Sequence, residues 1–117
     1  MRLKDKVILI TGAGSGIGKC TALLFAKEGA SVIVNDLNPE SGDDTVSEIH
    51  ETNGESYFIQ ADVTNASSVK AMVDEAISKY GRIDVLFNNA GISGVGKLHE
   101  VDLDAWNKTL SVNINGV

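Results

Sequence analysis

The stretch TGAGSGIG, residues 11–18, decides the fold because it joins a short apolar run to a segment of helical period. The run before it, Val7 to Thr11, is rich in β-branched residues and predicts a strand. The segment after it, Ile17 to Glu28, predicts a helix. A glycine-rich turn in this context leaves backbone N–H groups open at the positive end of the helix dipole. The stretch therefore predicts a turn that binds a pyrophosphate group.

Predicted strands and helices alternate along the whole chain, which is typical of a parallel sheet with crossover helices. The predicted strands are Val7 to Thr11, Ser31 to Asn35, Ser56 to Gln60 and Ile83 to Phe87. Three are apolar almost throughout and are expected to be covered on both faces, whereas the third is mixed and suits a sheet edge. Right-handed crossovers then predict an α/β, Rossmann-type doubly wound sheet with strand order 3-2-1-4.

Polar residues and glycines mark the expected ends of the helices. Side chains that accept hydrogen bonds from a helix's first turn are predicted at Asn38, Asn65 and Asp102. Residues with positive φ, which end a helix at low cost, are predicted at Gly29, Gly54 and Gly81. The last helix, from about Leu103, shows no stop signal. We therefore expect the chain to be cut inside a helix, as the N-terminal part of a longer protein.

Composition limits the class of protein. A chain of 117 residues with 43% hydrophobic and 22% charged residues is expected to form one folded domain. Its net charge of −6 argues against nucleic acid and anionic membranes as partners. No apolar stretch approaches the roughly 18 residues of a membrane span. The single Cys20 cannot form an internal disulfide and is expected to pack as a small apolar residue. A cytoplasmic location fits best.

Asp36 ends the second predicted strand, at close to the spacing of roughly 20 residues at which an acidic side chain meets the adenosine ribose. Its carboxylate would accept hydrogen bonds from both ribose hydroxyls and repel a 2′-phosphate. No Arg or Lys lies between residues 12 and 18 or between residues 35 and 39 to pair with such a phosphate. The sequence thus favours NAD over NADP. The alternative is a solvated Asp at a strand end.

The glycine spacing fits neither G-x-G-x-x-G nor the nucleotide-hydrolase loop G-x-x-x-x-G-K-[ST], because Ile17, Lys19, Ala13 and Cys20 stand where those motifs need other residues. It fits T-G-x-x-x-G-x-G, so the chain resembles the short-chain dehydrogenase/reductase family. Three further matches follow in order along the chain. They are Asp62-Val63, the NNAG stretch at residues 88–91, and Asn113.

The resemblance implies that Asp62 bonds the adenine amino group, that Val63 packs on the ring edge, and that residues 89–91 line the nicotinamide-ribose side. Asp62 could instead cap its own loop, and Asn88 is expected to tie strand ends together through backbone hydrogen bonds. The residues expected to bind the cofactor are Gly12, Ser15, Gly16, Ile17, Gly18, Asp36, Leu37, Asp62, Val63, Asn89, Ala90 and Gly91.

Asn113 falls on the apolar stripe of the last predicted helix, where a polar side chain needs hydrogen-bond partners. The resemblance implies a catalytic role, in which Asn113 helps to position a water of the proton relay. The alternative is an amide satisfied by neighbouring backbone.

The family's Ser and Tyr-x-x-x-Lys are missing, since neither Tyr57 nor Tyr80 has a lysine four residues later. No metal-ligand cluster is visible, and the isolated His50 and His99 are expected to be solvated.

Together with these residues, the resemblance implies an NAD-dependent alcohol or carbonyl oxidoreductase, present here as its cofactor-binding part and expected to be inactive alone. Its partners would be a small-molecule substrate and further copies of itself, since the resemblance implies that the final helix of this chain takes part in subunit packing. A non-catalytic dinucleotide-binding module is the alternative. A flavodoxin-like signalling domain is a third, but the end of the first strand lacks the clustered acids that such receivers need.

Overall fold

The computed structural model describes residues 1–93 and 96–117 and contains a four-stranded parallel sheet. The strands are β1 (Val7–Ile10), β2 (Ser31–Asp36), β3 (Glu55–Gln60) and β4 (Val85–Phe87). The helices are α1 (Gly16–Lys27), α2 (Pro39–Glu51), α3 (Ala66–Tyr80) and α4 (Leu103–Leu110). A 3-10 turn, Leu98–Glu100, precedes α4, and a π-helical turn, Ser111–Asn115, continues it. The strand order β3-β2-β1-β4 confirms the predicted Rossmann-type topology.

The core lies on both faces of β1 and β2, because successive side chains of a strand point to opposite faces. Ile8 and Ile10 pack with α1 and α2 on one face, whereas Val7 and Leu9 pack with α3 on the other. All four β1 residues are buried. This two-sided burial holds β1 in register with β2 and β4, and so positions the loops at the carboxyl ends of the strands.

The two edge strands differ from each other. β3 lies at one edge of the sheet and its residues range from exposed to buried, which confirms the prediction of a mixed edge strand. β4 was expected to be covered on both faces, and this is wrong for the described residues: Val85 and Leu86 are 41% and 55% exposed. The physical reason is that α3 packs mainly on Val7, Leu9, Ile33 and Ile59, while α4 does not pack closely on the sheet.

The predicted helix caps are largely confirmed. The side chains of Asn38, Asn65 and Asp102 each accept a backbone N–H from the first turn of the helix that follows. Gly29 and Gly81 have φ of +94° and +81°, as expected. Gly54 was predicted to have positive φ, but Asn53 adopts this conformation instead, with φ of +60°. Asparagine tolerates the left-handed region better than most residues, so it can take the place of glycine there.

Cys20 is exposed on α1, so the expectation that it packs as a small apolar residue is wrong. The buried positions of this helix are instead Gly18, Ala22 and Ala26, which follow at helical spacing on the face toward the sheet. No helix among the described residues combines the length and the apolar character needed to cross a bilayer.

Candidate cofactor site

The N-terminus of α1 is open at the carboxyl edge of the sheet. Its N-cap residue, Ser15, has extended backbone and makes no side-chain hydrogen bond to the helix. In the described part of the chain, α2, α3 and α4 each have such a bond. The first N–H groups of α1 are therefore left without a side-chain acceptor, at the end of the helix that favours negative charge. This arrangement fits a bound anion.

The glycines of the loop perform different tasks. A Cβ at Gly12 would lie 2.8 Å from Ala90 Cα, and one at Gly18 would lie 2.4 Å from Gly12 O. One at Gly14 would lie 2.7 Å from Asp36 Oδ2. Gly16 has φ of +55° and meets nothing within 4 Å. Three glycines thus allow close packing inside the protein, while Gly16 leaves free space at the tip of the loop, where a ligand could approach the backbone.

Asp36 lies half-buried at the end of β2 and contacts this loop directly. Its Oδ2 accepts a hydrogen bond from Gly14 N at 2.9 Å, and its Oδ1 accepts one from Asn38 N at 3.0 Å. A carboxylate has about four lone-pair sites, so acceptor capacity remains for two further donors. An exposed apolar side chain lies on each of the two elements that meet here: Ile17 stands in the first turn of α1, and Leu37 directly follows β2.

Asn89 holds the loop after β4 against the glycine loop. Its Nδ2 donates to Thr11 O at 3.1 Å and to Gly12 O at 3.2 Å. Thr11 Oγ1 in turn accepts from the backbone N–H groups of Asn89 and Ala90, both at 3.0 Å. The strand-tying role predicted for Asn88 is wrong, because the neighbouring Asn89 makes these hydrogen bonds. Asn88 is exposed and lines a cavity. The role of the Thr11 hydroxyl in joining the two loops was not predicted from the sequence.

The cavity has a volume of about 500 Å³ and lies between α3, the sheet and the end of the chain. Val63 and Leu86 are among the residues that line it. Val63 is half-buried, and a Cβ at Gly116 would lie 2.8 Å from its Cγ2. The structure therefore places Val63 beside the end of the chain, on the α3 face of the sheet.

Asp62 bonds within its own loop. Its Oδ1 accepts from Thr64 Oγ1 at 2.7 Å and from Thr64 N at 2.9 Å, and these bonds lower the pKa of the carboxyl. Its backbone N–H donates to Ser68 Oγ at 3.0 Å. The loop-capping role, given above as the alternative, is present in the structure. Contact with an adenine stays a prediction.

Asn113 lies in the π-helical turn, and its amide pairs with the backbone of Ile92. Oδ1 accepts from Ile92 N at 2.8 Å, while Nδ2 donates to Ile92 O at 2.7 Å. A Cβ at Gly91 would lie 3.3 Å from the same Oδ1. The alternative of an amide satisfied by backbone is therefore observed. The pairing also brings Asn113 to the NNAG stretch, and its catalytic role stays a prediction.

Contacts link most of the predicted site residues. Asp36 bonds to the glycine loop, the glycine loop contacts Asn89 and Ala90, and Gly91 adjoins Asn113. A family model described as short chain dehydrogenase matches residues 6–117. The chain belongs to the short-chain dehydrogenase family. The predicted resemblance is thereby confirmed.

Two curated relatives illustrate the family membership. The chain is 46% identical over 117 residues to the 3-oxoacyl-[acyl-carrier-protein] reductase FabG of Thermotoga maritima, covering 100% of this chain and 48% of the relative. It is 43% identical over 117 residues to a cyclohexanol dehydrogenase of Acinetobacter sp., covering 99% of this chain and 47% of the relative. The chain spans about half the length of these curated relatives.

Solved structures of the family share the fold. A hydroxysteroid dehydrogenase from Escherichia coli superposes with a TM-score of 0.91 at 37% identity, over 98% of this chain and 48% of that one. A short-chain dehydrogenase/reductase from Mycobacterium marinum gives a TM-score of 0.94 at 34% identity, over 97% of this chain and 46% of that one. The Rossmann-type topology is thus common to this chain and these enzymes.

Proposed function

We propose that this chain is the cofactor-binding part of an NAD-dependent oxidoreductase that moves a hydride between nicotinamide and the carbon of an alcohol or carbonyl substrate. The observation that carries the proposal is the open N-terminus of α1, with free space at Gly16 and the Asp36 carboxylate bonded to the same loop. Family membership supports it, since the relatives above are named as dehydrogenases and reductases.

Each part of the dinucleotide would contact a different group of residues along the carboxyl edge of the sheet. The backbone of Ser15, Gly16, Ile17 and Gly18 would hold the pyrophosphate at the helix N-terminus. The remaining acceptor sites of Asp36 would hold the adenosine ribose, next to Leu37. Residues 62–63 would contact the adenine, and residues 89–91 the nicotinamide ribose. Bound there, nicotinamide supplies the hydride donor or acceptor.

Selectivity for NAD rests on charge. A 2′-phosphate would meet the Asp36 carboxylate, whose two oxygens already face backbone donors on either side. No Arg or Lys stands in residues 12–18 or 35–39 to offset that repulsion. NADP should therefore bind more weakly than NAD.

We further propose that residues 1–117 form an NAD-binding domain of a longer, cytoplasmic protein and do not turn over alone. Removal of a hydroxyl proton by a positioned acid or base is worth about 10² to 10⁴ in rate, and the sequence contains no Tyr-x-x-x-Lys to provide it. Asn113 does not ionise and would only support such a relay. A small-molecule alcohol or carbonyl compound would be the substrate, and a homo-oligomer fits the exposed apolar face of α4.

Titration calorimetry with NAD and NADP tests the cofactor assignment. We expect NAD to bind more tightly than NADP. Asp36→Ala should reduce this difference in affinity. Asp43→Ala, which removes an exposed carboxylate from α2, is the matched control and should leave the gap unchanged. Equal affinity of the unmodified chain for both dinucleotides would contradict the NAD assignment. Absence of binding to either dinucleotide would contradict the proposal that this chain is a cofactor-binding part.

A further inference from the structure

The turn between α2 and β3 is closed by an asparagine in a left-handed conformation. Asn53 has φ of +60°, and its backbone N–H donates to His50 O at 3.0 Å. Gly54 N donates to Ile49 O, also at 3.0 Å. These two bonds form a Schellman motif, in which glycine usually occupies the left-handed position. Asn53 is exposed, so its side-chain amide is open to water at a fixed turn.

An asparagine that precedes glycine can modify its own backbone, because glycine has no side chain to shield its nitrogen. Gly54 N attacks Asn53 Cγ, so that a C–N bond forms and closes a five-membered imide. The Cγ–Nδ2 bond breaks, and ammonia leaves with the amide proton of Gly54. Water then opens the imide at either carbonyl. The products at position 53 are aspartate and isoaspartate, and no oxidant or reductant is needed.

The closed turn restrains this reaction. Gly54 N–H is held by Ile49 O, so the nitrogen must leave that bond before it attacks. The turn is also tightly packed, since a Cβ at Gly54 would lie 2.6 Å from Ile49 Cγ2, and Ile49 is fully buried. Helix ends open locally at lower free energy than the whole protein. The conversion rate in the folded chain is therefore the conversion rate of the open turn multiplied by the fraction of molecules in which the turn is open.

We propose that Asn53–Gly54 is a site of spontaneous conversion to aspartate and isoaspartate, with a rate set by local opening of the C-terminal turn of α2. Either product places a negative charge at the carbonyl end of the helix, between Glu51 and Glu55, and the helix dipole disfavours this. Isoaspartate also lengthens the backbone inside the turn, so both closing bonds cannot form together. The converted chain should be less stable where α2 meets the edge strand β3.

A second pair, Asn115–Gly116, provides an internal reference because it has the same two residues in a different element. The full chain is incubated at mildly alkaline pH, folded and in urea, and the peptides that carry residues 53 and 115 are followed by mass spectrometry. In urea, both peptides should gain the mass of an amide-to-acid exchange. In the folded chain, conversion at Asn53 should be several-fold slower than in urea.

Ile49→Val tests the restraint, because it removes the Cδ1 methyl of the buried residue on which the turn packs and so loosens its packing, while the Cγ2 that lies nearest Gly54 is kept. It should accelerate conversion at Asn53 several-fold in the folded chain and leave Asn115 unchanged. Asn53→Gly is the matched control, since glycine accepts the same φ. It should abolish the mass change at position 53 without loss of thermal stability. Asn53→Asp should lower thermal stability.

Three results would overturn the proposal. Equal rates at Asn53 in the folded chain and in urea would show that the turn does not restrain the reaction. Equal acceleration of both peptides by Ile49→Val would show that global unfolding controls it. No conversion at Asn53 in urea would refute the chemistry. If Ile49→Val does not fold, hydrogen exchange of the Gly54 amide in the unmodified chain should change with urea in proportion to the conversion rate.

Discussion

The carboxylate of Asp36 accepts a hydrogen bond from Gly14 N at 2.9 Å, which links the end of β2 to the glycine loop after β1. Gly14 has no Cβ at this contact, since one would lie 2.7 Å from Asp36 Oδ2. The residue proposed to bind ribose therefore also holds the loop proposed to bind pyrophosphate. Asp36 is already oriented by the protein, so less conformational entropy is lost on binding.

Replacement of Asp36 by Ala should therefore have two effects. The affinity for NAD should fall roughly 10- to 100-fold, because hydrogen bonds to a charged group are lost. Thermal stability should also fall, because Gly14 N and Asn38 N lose their acceptor. Calorimetry and a thermal melt measure the two effects. A variant with weakened binding and unchanged stability would show that the contact with Gly14 does not hold the loop, and Asp43→Ala controls for charge.

Gly16→Ala and Gly18→Ala should separate binding from stability. Gly16→Ala should cost about 1 to 2 kcal/mol, because its φ is positive but its surroundings are open. It should weaken NAD binding, because the new methyl group occupies the free space. Gly18→Ala should cost about 3 kcal/mol or more, because its Cβ would lie 2.4 Å from Gly12 O. Urea denaturation measures the loss of stability in each variant, and calorimetry measures NAD binding. A larger loss of stability in Gly16→Ala than in Gly18→Ala would refute the assignment of Gly18 to internal packing and Gly16 to the ligand space.

Asn89→Ala should destabilise the chain by about 1 to 3 kcal/mol, because Thr11 O and Gly12 O lose their donor. Asn88→Ala is the matched control in the neighbouring position. Asn88 is exposed, so Asn88→Ala should change the free energy of unfolding by no more than about 0.5 kcal/mol. Chemical denaturation of both variants measures the difference. Similar losses in the two would mean that the Asn89 amide does not hold the two loops together.

Asp84 should make stability depend on pH on the acid side. Its Oδ2 accepts from Val7 N at 2.8 Å and from Arg82 Nε at 3.0 Å, and the bond from Val7, followed by the charge of Arg82, lowers the pKa of the carboxyl. Because the folded pKa lies below the unfolded value of about 3.9, the stabilisation is complete above that value. It is lost as the pH falls through the folded pKa.

Asp84→Asn should therefore be less stable than the unmodified chain at neutral pH, and the two should converge in acid. Thermal melts from about pH 6 down to about pH 2 cover the range in which the difference should vanish. Asp43→Asn, on the exposed face of α2, serves as the control. A difference between Asp84→Asn and the unmodified chain that stays constant across this range would rule out titration of Asp84 as the cause.

Ser56→Ala should stabilise the chain by about 1 kcal/mol. Ser56 is 5% exposed on β3, and within the described chain its hydroxyl oxygen has no hydrogen-bond partner. The substitution removes the desolvated hydroxyl at the cost of very little packing. Ser47→Ala, at an exposed position of α2, should change stability less. A destabilised Ser56→Ala in a denaturation experiment would show that the hydroxyl has a partner after all.

The architecture could be predicted from the chain alone because its signals are local. Apolar strands between amphipathic helices dictate parallel pairing, and right-handed crossovers then permit few strand orders. Asn38, Asn65 and Asp102 could be identified as caps because a cap bonds within its own first turn. The T-G-x-x-x-G-x-G motif could likewise be placed at a strand-to-helix turn. Most of the fold, and the position of the candidate site at the carboxyl edge, was therefore predictable.

The different roles of neighbouring residues depend on contacts between distant parts of the chain. The amide that holds the glycine loop belongs to Asn89 and not to Asn88, because only the tertiary arrangement of β1 and β4 decides which side chain faces Thr11. Gly16 differs from Gly18 only through what surrounds each of them. The left-handed residue is Asn53 and not Gly54, because the N–H groups of Asn53 and Gly54 close the end of α2 on His50 O and Ile49 O. Sequence spacing determines where a residue stands in its own element, but packing between elements determines what it touches.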